Sequence, residues 1–195
     1  MEYGIMRADF YCVLTDMGQS GYLRRKSVTL DTAHGSPQSE SAPSDTAITI
    51  VTFPLSFKEL KFVESGLITE GDLVGYLNYN VDVREDDLII IKNENQTGDT
   101  TIAGTSATQA VISGDVRNKY STYDYISISD SDNDLLYKIT GVSYSTNTTL
   151  TIAFTANPST GDTLYTSSVF KVVKVTDMPN DENIVYRKLL LRKLS

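Results

Sequence analysis

The chain has one cysteine, one histidine and no tryptophan among its 195 residues. A lone thiol, Cys12, excludes an internal disulfide and fits folding in a reducing cytoplasm. A single imidazole, His34, leaves a histidine triad within the chain no well-placed base, and no His/Cys spacing of the zinc-binding kind occurs. Neither a G-x-S-x-G elbow nor a phosphate-cradling G-x-x-x-x-G-K is present, so no enzyme and no cofactor or metal is expected. Long apolar runs are missing too: Leu88-Ile89-Ile90-Ile91 and Leu189-Leu190-Leu191 are far too short to cross a bilayer. The opening Met1-Glu2-Tyr3-Gly4 carries no basic stretch leading into an apolar one, so no secretory signal is expected. Basic residues are scarce, 17 Lys and Arg against 25 Asp and Glu, for a net charge of −8. That balance argues against phosphate-backbone recognition, which needs clustered cations. It suits solubility, and it is compatible with a surface past which DNA slides without being held.

What is present reads as a folded, mainly β protein: 40% hydrophobic and 22% charged residues lie within the ordinary globular range. Ile5, Met6, Phe10, Val13, Leu14 and Met17 recur at helical spacing ahead of Gly18 and Gly21, predicting a short N-terminal helix with Cys12 on its buried face. Residues 22–30 and 47–53 are rich in Val, Ile and Thr and predict strands. Between them Asp31, His34, Gly35, Pro37, Glu40, Pro43 and their small polar neighbours offer no large apolar anchor, so 31–44 is expected to be a long mobile loop. Ser56-Phe57-Lys58-Glu59 has the spacing of a capping box, predicting a helix over 57–65 that Gly66 ends. Strands are predicted over 73–79 and 83–91.

From 96 to 168 the composition turns to Thr, Ser, Asn, Asp and Gly, with apolar residues alternating: Ile126 and Ile128, Tyr137 and Ile139, then Leu150, Ile152 and Phe154. Turn signals fall at 130–134, 145–147 and 157–161. Short alternating segments between turns predict a small antiparallel β-sandwich or barrel. After 168 the earlier character returns, with strands over 170–175 and 184–194 and a turn at 177–181. Leu88-Ile89-Ile90-Ile91-Lys92 and Phe170-Lys171-Val172-Val173-Lys174-Val175 read as two arms of one hairpin. The expected organisation is therefore a discontinuous β-barrel domain, 1–95 and 169–195, with short helices and a second β-domain, 96–168, inserted at a hairpin tip, where insertion costs little loop entropy.

Three patterns invite chemistry and give little. Asp130-Ser131-Asp132-Asn133-Asp134 opens like a calcium loop, but Leu135 stands where the sharp-turn glycine belongs and Gly141 where the bidentate glutamate belongs, so a turn is the better reading. Asn95-Gln96-Thr97 and Asn147-Thr148-Thr149 match the glycosylation triplet without any secretory context. Tyr120, Tyr123, Tyr125, Tyr137 and Tyr144 would suit sugar stacking and equally suit ordinary strands.

The order of elements resembles the head-closure, or stopper, proteins of tailed bacteriophages. The likeness rests on Gly21-Tyr22-Leu23-Arg24-Arg25-Lys26, the long loop, Gly66-Leu67-Ile68-Thr69-Glu70-Gly71-Asp72-Leu73-Val74, Asp87-Leu88-Ile89-Ile90-Ile91, the 170–175 strand and Tyr186-Arg187-Lys188-Leu189-Leu190-Leu191-Arg192-Lys193. It covers 21–95 and 169–195. The family places a tight turn where this chain carries its insert. The insert, through Thr101-Ile102-Ala103-Gly104-Thr105 and Tyr123-Asp124-Tyr125-Ile126-Ser127-Ile128, looks like a β-module that recurs in phage structural proteins. The resemblance implies a six- or twelve-membered ring of identical subunits in the virion neck, made in the host bacterial cytoplasm. It would sit between a portal–adaptor ring above and a tail terminator or tail-completion protein below. Packaged DNA would pass through the channel without sequence recognition, and no membrane is involved. It also implies that the loop with Asp31, His34, Gly35, Pro37, Glu40 and Pro43 plugs that channel. Arg24, Arg25, Arg187 and Lys188 are then candidates for contacts with acidic neighbours. An adaptor, a tail terminator or a host-surface, glycan-binding β-protein is the alternative.

Overall fold

The structure, a computed structural model, describes residues 2–25, 28–30, 37–40, 44–55, 72–92, 98–129, 135–155, 157–180 and 183–194. They form one α-helix, α1 (Glu2–Met17), and the strands β1 (Gln19–Arg25), β2 (Val28–Leu30), β3 (Pro37–Glu40), β4 (Ser44–Pro54), β5 (Leu73–Asn78), β6 (Leu88–Ile91) and β7 (Asp99–Thr100). Then come β8 (Gln109–Ser113), β9 (Tyr125–Ile128), β10 (Tyr137–Tyr144), β11 (Asn147–Ile152), β12 (Thr163–Thr166), β13 (Ser168–Asn180) and β14 (Asn183–Lys193). With 59% of the described residues in strands and 9% helical, the protein is mainly β. It divides into two compact units, Met1–Ile90 with Val169–Ser195, and Ile91–Ser168.

The first unit is a closed antiparallel barrel in the order β1-β4-β5-β14-β13-β6, which returns to β1. Its interior is aliphatic: Ile50, Leu77, Ile89, Val172, Leu189 and Leu191 are wholly buried. Burying each such side chain contributes about 1.5–3 kcal/mol. Closure pairs most of the edges that an open sheet would leave exposed; β4 runs beyond its pairing with β5, which ends at Ile50 opposite Leu77. A register shift between Val172 and Lys174, opposite β14, bends β13, as an extra residue in one strand of a pair does. Gly75 is required by the packing, because a Cβ there would come within 2.9 Å of both Ile50 Cδ1 and Leu191 Cδ1.

Helix α1 lies against β4, β5 and β14. Leu14 is buried, and Phe10 stacks on Tyr186 with ring centroids 4.8 Å apart. The expected apolar face is only partly used: Val13 and Met17 are exposed, and so is Cys12, which corrects its placement in the core. The contact stripe runs through Phe10 and Leu14, one helical step of four apart, and Cys12 sits two positions round from each.

Other differences have local causes. The strand expected from Val83 begins only at Leu88. Asp86 takes a left-handed backbone (φ 73°), and the Asp87 carboxylate accepts the Arg84 N–H at 2.8 Å, which makes 84–87 a turn. Strand β13 continues past the expected turn at Asp177 to Asn180, with Pro179 at a register shift, where a missing N–H is tolerated. The 31–44 stretch contains a strand: β3 pairs with β2, Val28 opposite Glu40 and Thr29 opposite Ser39. The predicted helix over 57–65 lies outside the described residues.

In the second unit six strands run in the order β7-β12-β9-β10-β11-β8, and a bridge from Thr101 to Ile112 joins the two ends of that order. The sheet thus curls around one core. Ile126, Ile128, Tyr137, Ile139, Leu150, Ile152 and Phe154, the alternating set in the sequence, all lie in it. Ser145 and Thr146 make the turn between β10 and β11, and Thr160 and Gly161 (φ 104°) turn the chain into β12.

Candidate functional site: the root of the β2–β3 arm

The chain leaves the barrel and returns to it through neighbouring strands. The last pair of the β1–β4 ladder is Arg25 opposite Ser44. Residues 26–27 lead to β2 and residues 41–43 lead back from β3, and β2 and β3 form a two-stranded sheet of their own. This two-stranded arm is thus inserted between adjacent barrel strands, and Arg25 stands at its root.

Arg25 is engaged on every side. Its Nε donates to Asp87 Oδ1 at 2.9 Å and its Nη2 to Asp87 Oδ2 at 2.6 Å, a two-point fork. Nη1 reaches Asp82 Oδ2 at 3.0 Å, and Nη2 also reaches the Asp82 carbonyl at 2.8 Å. Asp87 is 5% exposed and precedes β6, the strand that meets β1 where the barrel closes. The fork therefore fastens the arm's root across the closing seam, and a planar guanidinium is the group whose geometry suits that. The Asp87 bond, then the Asp82 bond, hold the guanidinium proton more tightly than usual. Arg25, and after it Arg84, hold the Asp82 carboxyl below the ordinary carboxylate range.

The neighbouring cations are likewise turned inward. Arg24 lies directly opposite Asp45 in the ladder and bonds it through Nε at 2.8 Å and Nη2 at 3.3 Å. Arg187 bonds Asp177 at 3.0 Å and donates to the Val81 carbonyl. Lys188 is half-buried on β14, opposite Thr176. So Arg24, Arg25 and Arg187 each hold a carboxylate of their own chain. Their strand positions were legible in the sequence; their partners Asp45, Asp82, Asp87 and Asp177 were not. The cross-strand pairing of Arg24 with Asp45 needs the β1–β4 register, which no spacing reveals.

Of the residues expected to plug a channel, Pro37 and Glu40 lie in β3, while Asp31, His34, Gly35 and Pro43 lie outside the described residues, as does 130–134. Among the described residues no group of three His, Cys, Asp or Glu could hold a metal ion, and no helix is long and apolar enough to span a membrane.

On the second unit, Tyr120, Tyr125 and Tyr137 belong to the buried core. Tyr120 donates to Asp99 Oδ2 at 2.8 Å, and burial, then that bond, push its hydroxyl pKa well up. Tyr123 and Tyr144 are exposed, but Lys138 lies 5.3 Å from the first ring and Arg117 4.9 Å from the second, so a cation already covers a face that a sugar would stack on.

No protein-family model matches the chain, and no curated protein matches its sequence.

Proposed function

We propose that the protein is a non-enzymatic structural subunit of a tailed-phage neck, joining head to tail and helping to retain packaged DNA. The observation that carries the reading is the β2–β3 arm between adjacent strands of a closed barrel, with its root fixed by the Arg25–Asp87 fork. A closed barrel is a rigid mount, and an arm on a fastened root can move at its far end without disturbing that mount. The acidic balance of the chain supports passage of DNA rather than capture of it. In this reading copies form a ring between portal and tail, and the insert decorates the ring or meets a neighbour.

The experiment that tests it is location. Particles from the source of this gene are purified, the chain is sought in them by mass spectrometry, and gold-labelled antibody marks its position. Label at the head–tail junction supports the reading. Absence from particles, or label at the tail tip or over the capsid, overturns it, and the tail tip would move the weight to host-surface binding.

A further inference from the structure

Strand β5 stops pairing with β4 at Ile50–Leu77, yet β4 runs on to Ser44 along β1. Over 46–49 the side of β4 turned away from β1 has no strand partner among the described residues. Two cavities lie there, of about 550 Å³ and about 330 Å³, and they share Ala47, Ile48, Asn80 and Val81 as walls. With these walls in common they make one slot beside β4, reaching from α1 to Arg25 and Asp82, and Ser20 and Leu23 of β1 line it too. Its length, four residues at roughly 3.3 Å each, is that of a short strand.

We propose that this slot receives the β2–β3 arm of a second copy of the chain, so that copies join head to tail by strand addition. The slot's form sets the occupant's form: a strand edge recognises an extended backbone, as β-augmentation does. The arm is the segment that needs such a partner. It pairs only with itself among the described residues, and an isolated two-stranded hairpin is marginal in water. Pro37 cannot donate to a ladder, and β2 contains no proline, so β2 is the strand proposed to pair. Charge agrees. The charged groups lining the slot, Arg25 and Asp82, bind one another, and β2 and β3 together bring one charge, Glu40. Among the described residues a nucleic acid or an acidic tail would find no free cation lining it. Because the arm and the slot are different surfaces, the contact is heterologous and propagates into a ring or a filament.

This deepens the neck reading by naming the contact that builds its ring, and the experiment separates the two. Full-length protein is followed by light scattering as concentration is raised, beside Asn80→Trp, which fills the slot from an exposed turn, and a variant lacking 28–40. In a Cys12→Ser background, copies with Thr29→Cys are mixed with differently tagged copies carrying Asn80→Cys and treated with a short bis-maleimide; Thr146→Cys, in an exposed turn of the second unit, is the control position. The proposal expects wild-type oligomers, association at least about tenfold weaker in both variants, and mixed-tag cross-links at Asn80→Cys but not at Thr146→Cys. Wild-type monomer up to the solubility limit, oligomers indifferent to both variants, or equal cross-linking at the control overturns it. A monomeric protein that still labels the head–tail junction sinks the slot and leaves the neck reading standing.

Discussion

Arg25 and Asp87 are 62 residues apart in sequence and meet in a two-point fork at 2.9 and 2.6 Å, where the barrel closes. Three features converge on that pair: the end of the β1–β4 ladder, the turn into β6 and the departure of the β2–β3 arm.

Removing the fork should loosen the barrel. Arg25→Ala leaves Asp87, 5% exposed, with the Arg84 N–H as its one remaining donor among the bonds described above. A destabilisation of about 2 kcal/mol is expected, because a buried carboxylate has lost its counter-charge. Arg25→Lys keeps the charge but not the planar fork, and about half that loss is expected. Denaturant unfolding of the three proteins checks the order; equal stability of all three would contradict it.

Alkaline stability should report on Tyr120. Its folded-state pKa is raised above the ordinary tyrosine value, first by burial and then by the bond to Asp99. The neutral hydroxyl therefore contributes stability that is fully present below about pH 10 and is lost as pH rises through the folded value. Melting temperature should fall above about pH 10, and Tyr120→Phe, slightly less stable at pH 7 for want of one hydrogen bond, should show a shallower fall. Parallel curves would show that Tyr120 does not set the slope.

Cys12 should behave as a surface thiol. It is exposed on α1, so one equivalent of a thiol reagent should react with native protein without denaturant. Cys12→Ser should change stability by less than about 0.5 kcal/mol. A thiol that reacts only on unfolding would restore it to the core.

Deleting 33–42 tests the arm apart from the barrel. Ser44 and Arg25 still close the β1–β4 ladder in such a variant, so the barrel should fold, its far-ultraviolet spectrum losing only the contribution of the arm. In particles whose neck still assembles with this variant, packaged DNA should be lost faster than in wild type. Unchanged retention removes the plugging role from the arm.

The core was more legible in the sequence than the contacts at the surface, and the reason is periodicity. Ile126 to Phe154 alternate because each strand turns one face to the shared core, and a two-residue period survives in sequence. Leu88 to Ile91 and the 170–175 strand were likewise visible as apolar runs, and they lie in neighbouring strands of the barrel. Strand β3 was hidden because Pro37-Gln38-Ser39-Glu40 is held by backbone pairing and has no apolar alternation to show. The Arg25–Asp82–Asp87 network was hidden for a different cause: it depends on the tertiary closing of β6 against β1. Cys12 was misplaced because Val13 and Met17 widened the apparent apolar stripe of α1 beyond the narrow contact through Phe10 and Leu14.

The most direct measurement of the central claim is to disrupt the gene in the genome that encodes it and image the resulting particles by electron microscopy. The account predicts DNA-emptied heads beside complete, unattached tails. Normal joined virions with filled heads would contradict it.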